Sequence, residues 1–78
     1  MSKTEKIVNI KNAVKEALMQ YDAENVDIMR NYETGCIDIV YHSRHNSFGI
    51  VDNVCSFEGL SECDIDNIAD CYSIGYCW

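Results

Sequence analysis

Apolar residues at Ile7, Ile10, Val14, Leu18 and Tyr21, joined by Ala13 and Ala17, recur at steps of three and four. That spacing gathers them on one stripe of an amphipathic helix running to about Tyr21. Ser2 and Glu5 stand three apart, the capping-box spacing in which hydroxyl and carboxylate satisfy each other's free amides. Lys11 and Lys15 lie beside the stripe, and Val8 and Met19 fall on the outer ridge with them. From Val26 the period drops to two. Val26, Ile28 and Arg30 alternate with Asp27, Met29 and Asn31, and Ile37, Ile39 and Tyr41 alternate with Asp38, Val40 and His42. Tyr32-Glu33-Thr34-Gly35 ends on a turn glycine. A polar loop, Ser43–Ser47, leads to Phe48–Val51 and Val54–Phe57. These are three strands of an antiparallel meander. The phase slips at Asp52-Asn53, which marks either a bulge or a strand end.

The helical period returns at Ile65, Ile68, Ala69 and Tyr72. Ser61 reads as N-cap, Asp64 as the reciprocal acid, and Leu60 with Ile65 as a hydrophobic staple. Gly75 reads as the C-terminal stop. The expected fold is α+β, in the order α-β-β-β-α, with both helices on one face of a three-stranded antiparallel sheet. Ile7, Ile10, Val14, Leu18, Ile37, Ile39, Ile65, Ile68 and Tyr72 are its expected core. With 78 residues the chain has room for one such domain, covering 1–78.

Charge narrows the function. Thirteen acids against six bases give −7, and the imbalance is local. Residues 1–21 sum to +2 and residues 22–78 to −9, with no Lys or Arg after Arg44. Direct nucleic-acid binding through phosphate neutralisation is excluded by this balance. No apolar run approaches the ~18 residues of a membrane span, and Met1–Lys6 leads into no apolar signal segment. A cytoplasmic setting follows. The five cysteines, Cys36, Cys55, Cys63, Cys71 and Cys77, then read as reduced thiols, their odd number arguing against a disulfide framework.

Glu62, Asp66 and Asp70 are spaced i, i+4, i+8, which stacks them in one row about 6 Å apart along a helix. The row flanks the buried stripe and faces solvent. Such an array can stand in for phosphates in a basic groove, and it can equally be a solvated face kept for solubility. Three carboxylates at that spacing are sparser than duplex DNA, with one charge per ~1.7 Å, so mimicry needs Asp52, Glu58 and Asp38 to add to the row. Tyr76 and Trp78 are either exposed interface anchors or, for Trp78, a lid folded back on a small core, the latter being favoured.

Catalytic and metal signals are weak. No C-x-x-C pair exists, Cys63 and Cys71 are eight apart, and nothing in the spacing joins His42 and His45 to Cys36 or Cys55. Asp64-Ile65-Asp66 lacks the glycine and distal glutamate of a calcium loop. No glycine-rich phosphate loop and no local Cys–His signature occurs. The expectation is a protein that is not an enzyme and has no catalytic residue, metal or cofactor.

The element order and length resemble the double-stranded RNA-binding domain. That family opens its second helix with lysines, where this chain has Ser61-Glu62-Cys63-Asp64-Ile65-Asp66, so RNA binding does not carry over. In size, charge and topology the chain looks more like the small acidic proteins that phages use against host defences, anti-CRISPR and anti-restriction DNA mimics among them. That resemblance implies a non-enzymatic inhibitor acting in the host cell cytoplasm. Its partner would be a protein with a basic nucleic-acid-binding surface. The alternatives are an oligomerising structural or regulatory domain, such as a homodimer through the Val8/Met19 ridge or the aromatic C-terminus, and then a Cys/His metal-binding domain.

Overall fold

The computed structural model describes residues 2–78. Helix α1 (Lys3–Leu18) starts at Ser2, whose hydroxyl accepts from the Glu5 amide at 3.2 Å. The helix stops one turn short of the expected Tyr21. Met19 caps it, and the Gln20 and Tyr21 amides both close on the Ala17 carbonyl. Tyr21 leaves the helical path and packs its ring 4.6 Å from Tyr41. A short 3-10 turn (Ala23–Asn25) then delivers the chain to strand β1 (Val26–Asn31).

Strand β2 (Cys36–His42) pairs antiparallel with β1, and strand β3 (Ser47–Ser56) pairs antiparallel with β2. Asn31 shapes the β1–β2 turn: its side-chain oxygen accepts from the Glu33 and Thr34 amides, and Gly35 takes φ +74°. The slip at Asp52-Asn53 is a bulge and not a strand end. Seven residues of β2 face ten of β3, and the register shifts on both sides of Ile39. Asn53 takes φ 53°, in the left-handed region that asparagine tolerates better than most residues.

Helix α2 (Glu62–Tyr72) opens with a complete capping box between Ser61 and Asp64. It ends differently from the expected Gly75 stop. Ser73 adopts the left-handed cap at φ 55°, and the Ile74 amide reaches back to the Ala69 carbonyl at 3.0 Å, closing the carbonyls of the last turn. Gly75 instead opens a fourth strand, β4 (Gly75–Cys77), which lies parallel to β1. The three-stranded antiparallel expectation is therefore corrected to a four-stranded mixed sheet in the order β3-β2-β1-β4. The Asp27 carboxylate sits where a side chain at position 75 would go, so a larger residue there would have to push that carboxylate aside.

The molecule is a small α+β fold of two helices and this sheet. Its core is one cluster holding Ile10, Val14, Val26, Ile28, Ile37, Ile39, Ile65 and Ile68, all nearly or wholly removed from water. Ile7, Leu18 and Tyr72, expected in the core, are half-buried at its margin. α1 packs across β3, β2 and β1, whereas α2 packs over β1 and β4. The two helices also touch each other over this one core, and Lys3 at the start of α1 pairs with Asp64 at the start of α2.

Candidate functional site

Glu62, Asp66 and Asp70 are all exposed on α2, whose inward face carries Ile65, Ile68 and Ala69. None of the three carboxylates pairs with a cation among the described residues. The bases are engaged or placed elsewhere. Lys3 pairs with Asp64 at 3.1 Å, buried Lys6 donates to the Glu58 carbonyl, and Arg30 lies among aromatic rings. Strand β4 adds Tyr76 to the row. Its phenol donates to Glu62 at 3.3 Å, and its pKa is raised by desolvation and then by the negative charges of Asp66 and Glu62. A neutral hydrogen-bond donor thus sits against the first two carboxylates of an otherwise uncompensated line.

The remaining sequence candidates separate. Glu58 is exposed in the loop that leads into α2. Asp52 is exposed on β3, the edge strand over which α1 packs, with its carboxylate against the Gly49 backbone. Asp38 leaves the array altogether: at 7% exposure it is a structural residue. One oxygen accepts from the Asn53 amide at 2.8 Å and the other from the Asn31 side chain at 2.9 Å. The bulge in β3 needs a fixed acceptor for its turned-out amide, and Asp38 supplies it.

Trp78 folds back and packs against the core margin. Its ring lies 4.1 Å from the Arg30 guanidinium carbon and edge-on to Phe57 at 6.2 Å. Tyr32 covers the same guanidinium at 4.4 Å, and Phe57 stands at 5.4 Å. Arg30 Nε is buried with no hydrogen-bond partner, and Nη2 reaches the Trp78 main-chain oxygen at 3.4 Å. Charge stacked on ring faces takes the place of the missing carboxylate. Nothing in the spacing of Arg30 and Trp78, 48 positions apart, announces this contact. The alternation Ile74, Tyr76, Trp78 is the legible trace of the strand that creates it.

Val8 is 48% and Met19 85% exposed, so the outer ridge of α1 is open. Cys55 is buried, which raises its thiol pKa, while Cys63, Cys71 and Cys77 are exposed. No group of three or more His, Cys, Asp and Glu side chains suited to a metal ion comes together among the described residues. His42 bonds Asp27 at 2.9 Å, joining β2 to β1, and His45 is exposed in the loop that follows. Among the described residues no helix is long and apolar enough to cross a membrane. Comparison with protein-family models, with curated proteins and with solved structures finds no match.

Proposed function

We propose that this is a non-enzymatic binding protein whose α2 face engages the basic surface of another protein. The observation that carries this reading is the exposed row Glu62, Asp66, Asp70, with Tyr76 against it and no cation paired to it among the described residues. Like charges at i,i+4 cost a helix a few tenths of a kcal/mol per pair, and no ion pair among the described residues offsets that cost at Asp70. A basic groove would offset it. The proposed partner is a protein whose groove handles nucleic acid, and occupying that groove would inhibit it, as the resemblance to phage anti-defence proteins implies. Asp38 takes no part, and Asp52 lies outside the α2 contact. The contact set is Glu62, Asp66, Asp70 and Tyr76, with Glu58 at its margin.

The test neutralises Asp66→Asn and Asp70→Asn together and measures binding to a partner captured from host lysate. Rim charges act on encounter, so the double variant should associate more slowly and lose much of its salt dependence, with dissociation changing less. Far-ultraviolet circular dichroism and melting temperature should match wild type, because both positions are exposed. Wild-type binding by this variant would reject the α2 face as the contact.

A further inference from the structure

We infer that the cleft between the last turn of α1 and the first half of β3 receives a lysine side chain of the protein partner. The inference rests on the reading above only for the partner's basic character. The cleft measures about 270 Å³ and is bounded by Glu16, Ala17, Tyr21, Phe48, Gly49 and Ile50, among others. Sites for whole small molecules usually start near ~300 Å³, so this one suits a single side chain. Ala17 adds only a methyl group to its wall.

Its chemistry selects a slender cation. Glu16 is the one charged residue on the walls, and its exposed carboxylate makes no ion pair or hydrogen bond with the described residues. Tyr21 and Phe48 add two aromatic rings, whose faces attract cations. Ile50, Val51 and Ala17 offer an apolar wall for an aliphatic stem. Shape separates lysine from arginine. The rings of Tyr21 and Phe48 meet edge-on at 73° and 6.2 Å and form no flat slot. The same molecule shows what a guanidinium requires, in Arg30 lying over the faces of Tyr32 and Trp78. A compact ammonium beside one carboxylate needs no such slot.

The experiment titrates the full chain with N-acetyl-lysine methylamide at millimolar concentrations and follows backbone amide resonances by NMR. Controls are the same molecule acetylated on Nζ and its arginine counterpart. The lysine probe should shift Ala17, Tyr21, Gly49 and Ile50, and the acetylated probe should not. Glu16→Gln should weaken binding about threefold, in line with one exposed ion pair. Phe48→Leu should weaken it by removing one ring, and Glu16→Lys should abolish it. Equal shifts from the acetylated probe, tighter binding of the arginine probe, or no shift at these residues would each overturn the assignment. Asp66→Asn/Asp70→Asn should bind the probe as wild type does. Partner binding unchanged in that variant defeats the α2 face alone, whereas an unresponsive cleft defeats this inference alone.

Discussion

Arg30 shows how one side chain can hold a terminus that the local sequence leaves weak. Strand β4 has three residues and a single parallel neighbour, too little to stand on its ladder alone. The Trp78 ring at 4.1 Å and the Tyr32 ring at 4.4 Å convert the guanidinium into a clasp for that strand. A cation–π contact contributes ~0.5–1 kcal/mol when exposed and more when desolvated. Arg30→Ala should therefore cost about 1–2 kcal/mol, counting its two closest rings. At roughly 4–8 °C per kcal/mol for a domain of this size, the melting temperature should fall by several degrees. Trp78 fluorescence should shift to the red as water reaches the ring. Arg30→Lys should recover only part of the loss, because an ammonium cannot stack flat. A melting curve and emission spectrum unchanged in Arg30→Ala would show that Ile74 and the ladder suffice.

The start of α2 is the element whose energetics can be followed by pH. The backbone hydrogen bond from Ser61 is the main cause holding the Asp64 carboxyl below its usual 3.8, with help from Lys3 and the Ser61 hydroxyl. A carboxylate with a lowered folded pKa binds fewer protons when folded than when unfolded. Its contribution is complete above the ordinary value and is lost as pH falls through the lower folded one. Asp64→Ala should cost about 1 kcal/mol at neutral pH. Its deficit against wild type should be smaller at about pH 2, because protonation below the ordinary carboxyl value removes part of the charge's contribution. Urea unfolding at the two pH values measures this, and an equal deficit at both would remove the charge from the explanation. This capping box was legible because it is local: Ser61 and Asp64 are three residues apart. The same holds for the stripes of α1 and α2 and for the alternation in β1 and β2. What stayed hidden depends on contacts far along the chain. Tyr21 leaves its helix for Tyr41, Asp38 turns inward for a bulge amide at Asn53, and Gly75 reads as a stop until Asp27 is seen against it. The acidic row was readable as a row, but its separation from Asp52 follows only from which helix covers which strand.

Across the whole fold, charge opposes the compact state more than it supports it. Residues 22–78 carry eleven acids against Arg30 and Arg44, and Arg30 is held by rings, with no Asp or Glu side chain paired to it among the described residues. The Lys3–Asp64 ion pair and the His42–Asp27 contact, ionic only when the imidazole is protonated, work in the other direction among the described residues. Exposed pairs of this kind contribute ~0–1 kcal/mol each and are screened by the same salt that relieves repulsion. The repulsive side is larger, because it includes both i,i+4 steps along Glu62, Asp66 and Asp70 and the net −7 of the chain. Raising sodium chloride from ~20 mM to ~0.2 M shortens the screening length from roughly 20 Å to below 10 Å, inside the dimensions of this molecule. The melting temperature should rise by a few degrees over that range. Asp66→Asn/Asp70→Asn should melt higher at low salt and gain less from added salt, since part of the repulsion is already gone. Calorimetry of both proteins at both concentrations decides the matter. A melting temperature that falls with salt would mean that these attractive contacts outweigh the repulsion. The α2 row would then carry no strain for a basic partner to relieve.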